Sequence, residues 1–145
     1  MICLIQRVNH SKVDVAHETI GEIGAGLLVL TAFQPHDNSD SIKKMTHKLL
    51  NYRVFADEND KMNLNVQQAK GELLLVPQFT LAANTKSGLR PSFSTSAPPQ
   101  QAASWFDEFV TLVSRAYTQP QTGQFGADMQ VSLTNNGPVT FWLEI

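Results

Sequence analysis

Two short segments break the pattern of their surroundings and place groups where they could do chemistry. In Val76-Pro77-Gln78-Phe79-Thr80-Leu81, a proline follows the apolar run Leu73-Leu74-Leu75. Proline cannot donate to a strand ladder, so pairing is expected to break at Pro77 and leave the next backbone N–H groups facing a ligand. Free donors of this kind can form an oxyanion hole, and a bulge or an edge strand is the plainer alternative. In Asn135-Asn136-Gly137-Pro138-Val139-Thr140, a Gly-Pro pair lies between two alternating segments, where a hairpin turn is expected. A Gly-Pro bond is one of the few that adopt the cis form at modest cost. In that form its neighbouring carbonyls point in nearly one direction, as two acceptors for an ammonium group. An ordinary turn is the alternative here too.

Other chemistries find less support. His10, His17, His36 and His47 all lie in the first third, and none has the spacing of a metal pair on one helix face. No G-x-S-x-G elbow accompanies them, which leaves a Ser-His-Asp arrangement without its local signature. Cys3 sits in an apolar run with no basic neighbour nearer than Arg7 and reads as a small packed hydrophobe rather than a nucleophile. Gly21, Gly24 and Gly26 come in the order G-x-x-G-x-G with no helix directly after them, so turns are favoured over a phosphate cradle. Asp57 to Asn63 faintly resembles a calcium loop but lacks its glycine and closing glutamate, and is expected to be a solvated turn. No metal and no organic cofactor is expected.

These segments need elements to hold them. Strands are expected over Ile2–Val8, Lys12–Val15, Glu18–Ile23 and Leu27–Phe33, with glycines at the bends. Capping residues from Asn38 to Ser41, followed by Ile42, Met45 and Leu49, predict a helix from about Ser39 to Tyr52. Glu72 to Ala83 is apolar and strand-like, and Asn84 to Ala97 reads as a long exposed loop. Pro98 and Pro99 suit a helix start, after which Trp105, Phe106, Phe109, Leu112, Val113, Ala116 and Tyr117 form one broad apolar face. Segments around Gln124, from Met129 to Leu133 and from Val139 to Ile145 alternate as half-buried strands do. The expected class is α+β: mixed β-sheets curled toward a barrel, with two main helices packed outside, in a single domain over residues 1–145.

Composition narrows the setting. The chain has 145 residues, 42% of them hydrophobic, enough to bury a sizeable core. A formal net charge of -2 supplies no general basic field, so any contact with nucleic acid must be local. One cysteine excludes an internal disulfide, no secretion signal is visible, and the apolar run from Gly24 to Phe33 is too short to span a bilayer. A cytoplasmic protein with no membrane association is expected, and in that setting the Asn9-His10-Ser11 sequon carries no meaning.

Pro77-Gln78-Phe79-Thr80-Leu81, Arg90-Pro91-Ser92-Phe93, Phe125-Gly126-Ala127-Asp128-Met129 and Asn136-Gly137-Pro138-Val139-Thr140-Phe141-Trp142 resemble, in order and spacing, the signature blocks of the D-aminoacyl-tRNA deacylases. Gln6-Arg7-Val8, Gly24-x-Gly26-Leu27-Leu28-Val29-Leu30 and Lys61-Met62-Asn63-Leu64 extend that resemblance over the whole chain. Each block alone is weak, and together they are specific.

The resemblance implies a homodimeric hydrolase that removes a D-amino acid from the terminal ribose of tRNA, and glycine mischarged on tRNA(Ala), without metal or cofactor. It implies backbone N–H donation by Gln78 and Phe79 to the oxyanion, with Thr80 within reach of the ester. Gly137 and Pro138 of one subunit would enter the other's pocket, supported by Arg7, and exclude L-residues sterically; Met129 belongs to the same substrate-binding set. Lys86 and Arg90 are the candidates for phosphates of the tRNA acceptor end. Many relatives have serine where this chain has Pro77, and deacylases of relaxed chirality also carry proline there, so a relaxed-chirality deacylase is one rival reading. A non-catalytic RNA-binding module on the same fold is the other.

Overall fold

The computed structural model describes residues Met1–Ile145. In chain order the elements are β1 (Ile2–Val15), β2 (Glu18–Ile23), β3 (Gly26–Ala32), α1 (Ser39–Asn51), β4 (Phe55–Ala56), β5 (Met62–Leu64) and β6 (Glu72–Pro77). A short 3-10 helix (Phe79–Ala82), α2 (Pro99–Ala116), β7 (Gln121–Thr122) and β8 (Gln130–Glu144) complete the chain.

β1 is the hub of the main sheet. Its first half pairs antiparallel with β3, its second half pairs antiparallel with β2, and β8 runs antiparallel along its other edge. β3 then pairs in parallel with β6, and β6 in parallel with β7. The sheet is therefore mixed, and it curls far enough to bring its ends together: a Cβ on Gly21 of β2 would lie 2.8 Å from the Thr122 carbonyl oxygen of β7. Glycine at that position permits the approach. The result is a mixed, barrel-like sheet with two helices, as the sequence leads one to expect.

β3 and β6 read as unbroken apolar runs because both their faces are covered. Leu27, Val29, Leu73 and Leu75 point to the core shared with Ile42, Met45 and Leu49 of α1 and Phe106, Phe109 and Val113 of α2. Leu28, Leu74 and Val76 alternate to the opposite face, where they meet Val8, Val13 and Ile23 inside the curled sheet. Asn38 caps α1 by accepting from the N–H groups of Asp40 and Ser41.

Glu72 to Ala83, expected to be strand-like throughout, is strand only to Pro77 and gives way to the 3-10 helix, and three further sequence expectations change. β1 runs unbroken through Asn9-His10-Ser11, where an interruption is expected; Ser11 is buried there and donates from Oγ to the Ser132 carbonyl at 2.9 Å. The segment around Gln124 lies outside any strand, and the short β7 precedes it. The third change concerns the Gly-Pro block, which is not a hairpin turn. Both flanks pair with β1 in the same direction, Gln6 opposite Thr140 and Val8 opposite Asn135, so the chain never reverses. Asn136 to Val139 instead bulge from a single 15-residue strand, opposite the one residue Arg7. A bulge is also where a sheet tolerates proline.

Candidate active site

β6 ends at Pro77, which lies opposite Thr31 of β3. The chain then turns at Gln78 into the 3-10 helix, in which Leu81 donates to the Gln78 carbonyl at 3.2 Å. The expectation that the Gln78 N–H is free is corrected: it donates to the Thr31 carbonyl at 2.7 Å, because the ladder between β3 and β6 continues one residue beyond the proline. Phe79 and Thr80 open the 3-10 helix, and the first N–H groups of a helix have no partner within it. The Gln78 side chain donates from Nε2 to Thr80 Oγ1. Thr80 Oγ1 is thus paired with an amide, which cannot remove its proton.

A cleft of about 440 Å³ opens beside this turn. Pro77, Gln78 and Phe79 form one wall, Pro99 and Ala102 at the start of α2 another, and Phe125, Gly126, Ala127 and Met129 close it. The lining is mainly apolar. Met129 is fixed there by the Gln124 N–H, which donates to its Sδ at 3.3 Å. Thr80 does not line the cleft.

The loop after the 3-10 helix folds back toward the cleft rather than trailing into solvent. Asn84 and Ser92 exchange backbone hydrogen bonds of 2.8 and 3.1 Å, and Thr95 donates from Oγ1 to the Ala82 carbonyl at 2.6 Å. Phe93 consequently meets Phe79, with ring centroids 5.1 Å apart, although each ring is about half exposed. Lys86 and Arg90 ride on this loop, exposed and outside every ion pair of the chain.

Arg7, Gly137 and Pro138 form a second group. Arg7 donates from Nε to the Asn136 carbonyl at 3.0 Å and from a terminal nitrogen to the Val54 carbonyl at 2.7 Å. The Gly137-Pro138 bond is cis, and both residues are exposed. Asn135, which sequence reasoning passed over, closes the bulge from within: its Oδ1 accepts from the Val139 N–H at 2.6 Å, and its Nδ2 donates to Thr140 Oγ1 at 2.9 Å. A short amide side chain beside an expected irregularity was the available signal. Neither Gly137 nor Pro138 lines the cleft, so one chain does not bring the two groups into a single site.

Cys3 is fully buried against Thr31, and its thiol is pushed up to about 12, chiefly by burial. It stays protonated at physiological pH and packs as a hydrophobe.

Comparison with known proteins adds to this geometry. The family model described as D-Tyr-tRNA(Tyr) deacylase matches residues 4–144. A D-aminoacyl-tRNA deacylase of Hydrogenovibrio crunogenus is 66% identical over 148 residues, covering 99% of each chain. One of Haemophilus influenzae (strain PittEE) is 61% identical over 145 residues and the whole of both chains. Among solved structures, the c-Myc DNA Unwinding Element Binding Protein superposes with a TM-score of 0.96 at 36% identity, covering 100% of this chain and 99% of that one. A probable eukaryotic D-amino acid tRNA deacylase superposes with a TM-score of 0.86 at 17% identity over 99% of this chain and 98% of that one, a likeness of fold.

Proposed function

The chain belongs to the D-Tyr-tRNA(Tyr) deacylase family, and from that premise we propose how its own residues select and cleave a D-aminoacyl ester. The protein is a hydrolase of the aminoacyl-tRNA ester bond. The observation that carries the finer reading is the 3-10 turn at the mouth of an apolar cleft, where the Phe79 and Thr80 N–H groups lack an intrahelical partner. A water attacks the ester carbonyl, a carbon–oxygen bond forms, and the negative charge developing on the carbonyl oxygen is met by the N–H of Phe79, the residue of the two that lines the cleft. The ester bond then breaks, and the ribose oxygen leaves with the proton that the attacking water gives up. Gln78, whose backbone donor is already engaged with Thr31, acts instead through its side chain by holding the Thr80 hydroxyl. The substrate's neighbouring ribose hydroxyl positions the water, so neither a protein nucleophile nor a cofactor is required.

Chirality is read by a second copy of the chain. The exposed Gly137-Pro138 bulge is held away from its own cleft by Arg7, which supports its insertion into the cleft of a partner. There its carbonyls bind the α-amino group, and its backbone fills the space that an L-side chain needs. Met129 lines the wall facing the substrate side chain. Glycine carries no side chain to exclude, so glycyl-tRNA mischarged on tRNA(Ala) is a second substrate. Lys86 and Arg90 meet phosphates of the acceptor end in the cytoplasm, where charged tRNA is used.

The deciding experiment is release of amino acid from D-Tyr-tRNA and L-Tyr-tRNA by purified protein in the presence of chelator, with a Pro138 variant alongside. Loss of the D-ester alone, slowed in the variant, is the expected outcome. Equal attack on both esters would replace chiral selection with the relaxed reading that Pro77 allows, and a fully active monomer would overturn the shared site.

A further inference from the structure

We propose that the exposed face of α1 and the segment following it form a docking track for the phosphate backbone of the tRNA acceptor stem, remote from the cleft that holds the ester. This rests on the deacylase reading above and adds a surface to it. Lys43, Lys44, Lys48 and Arg53 are four of the chain's 11 lysines and arginines, gathered within 11 consecutive residues of a protein whose net charge is -2. No aspartate or glutamate occurs from Ser41 to Ala56, and His47 lies within the same stretch. Acidic groups border the stretch without neutralising it: Asp40 is 3.7 Å from Lys43 with both side chains exposed, Asp57 bonds the same Asn63 side chain that Arg53 contacts, and Glu108 accepts from Ser39 at the helix start.

The charges are left available. Lys43 and Lys44 are exposed, Arg53 donates to the neutral Asn63 side chain at 2.9 Å, and Lys48 donates to the Glu144 carbonyl at 3.1 Å. Lys44 and Lys48, four residues apart, share one helix face, as do Lys43 and His47. An open depression of about 310 Å³ between α1 and α2 is bordered by Lys43, His47 and Gln67.

Solvated lysines on a helix are common, and charge alone would not single out this face. What does is its connection to the bulge. Arg53 is followed directly by Val54, whose carbonyl is held by Arg7, and the same guanidinium holds Asn136 next to Gly137. The basic stretch therefore ends at the Gly137-Pro138 projection. When that projection enters a partner's cleft, the stripe of the donating copy lies beside the acceptor end bound there. One copy then holds the ester while the other tracks the stem.

Each phosphate contact steepens the salt dependence of binding in proportion to the counterions released. The test compares wild type with the triple variant Lys43→Gln, Lys44→Gln, Arg53→Gln, in which glutamine keeps the helix propensity of lysine. Substrates are D-Tyr-tRNA and D-tyrosyl-adenosine, which carries the ester but no stem; binding of uncharged tRNA is measured in parallel. Between 50 and 200 mM salt, wild-type kcat/KM on D-Tyr-tRNA should fall about 40-fold further than that of the variant, the loss of three phosphate contacts. The ratio of tRNA to adenosine turnover at low salt should fall in the variant, as should its affinity for uncharged tRNA. Unchanged salt slopes and affinity would overturn the track, and so would an equal loss on both esters, which would place these residues in folding or chemistry. Wild-type protein that cleaves neither ester yet binds uncharged tRNA through these residues would sustain the track while sinking the deacylase reading.

Discussion

Arg7 stands alone on β1 opposite the four residues Asn136 to Val139 of β8, and its Nε holds the first of them by the carbonyl at 3.0 Å. One side chain therefore fixes the direction of an exposed bulge, while its other contact, at 2.7 Å to Val54, ties that bulge to the end of the α1 segment. Arg7→Ala removes both bonds without touching the cleft. The bond to Asn136, the one that reaches the bulge, comes from a charged donor and contributes about 1.5–3 kcal/mol, so kcat/KM on D-Tyr-tRNA should fall by roughly 10- to 100-fold. Arg7→Lys offers a point charge in place of a fork and should recover part of that loss. An alanine variant of full activity would remove Arg7 from the site.

Gly137 carries φ of +144°, a backbone region essentially reserved for glycine, and a Cβ there would lie 2.6 Å from Val139 Cγ2 and 3.0 Å from Val139 N. Gly137→Ala must therefore displace the bulge, at a strain of roughly 1–3 kcal/mol. Because the bulge is exposed, the fold should survive, with Tm lowered by about 3–10 °C. Discrimination between D- and L-Tyr-tRNA should narrow, and a variant with wild-type rates on both would show that the bulge does not read chirality.

The broad pattern of strands and helices was legible in the sequence because it rests on periodicity, as in the alternate burial of Leu27, Leu28 and Val29 on opposite faces. What escaped was long-range pairing. Nothing local says that the flanks of Asn136-Gly137-Pro138-Val139 pair with the same strand, which makes the block a bulge instead of a turn. Nor does anything near Gln78 disclose that its N–H is taken by Thr31, 47 positions earlier in the chain (78 − 31). Local sequence marked both irregular places correctly, and tertiary pairing decided which atoms they leave available.

Cys3 supplies a prediction about alkaline pH. Its thiol is pushed from an ordinary 9.0 up to about 12 by burial, so between those values the unfolded chain has lost a proton that the native protein keeps. Stability from this group is complete below pH 9 and falls as pH rises, by about 1.4 kcal/mol per unit for a single site. Cys3→Ala should be less stable at pH 7 through the cavity it leaves, yet show a shallower alkaline decline in denaturant titrations. Native protein should also resist thiol alkylation at pH 8 until denaturant is added, and rapid labelling of the native state would contradict the burial argument.

The proposed oxyanion donor is the backbone N–H of Phe79, so ordinary side-chain substitution cannot remove it, but proline can. Phe79 is the first residue of its 3-10 helix, a position that tolerates proline. Phe79→Pro deletes both the N–H and the ring, whereas Phe79→Ala deletes the ring alone, including its 5.1 Å packing on Phe93. The difference between the two variants isolates the donor. Loss of one oxyanion donor typically costs about 10²–10³ in kcat, so the proline variant should fall below the alanine variant by that order. Thr80→Ala keeps its backbone N–H and should retain most of the wild-type kcat. If Thr80→Ala instead binds substrate normally and is inactive, the hydroxyl takes part in the chemistry and backbone stabilisation alone is insufficient. If the proline and alanine variants match, charge on the carbonyl oxygen is met elsewhere in the cleft, with the Gln78 side chain as the next group to replace.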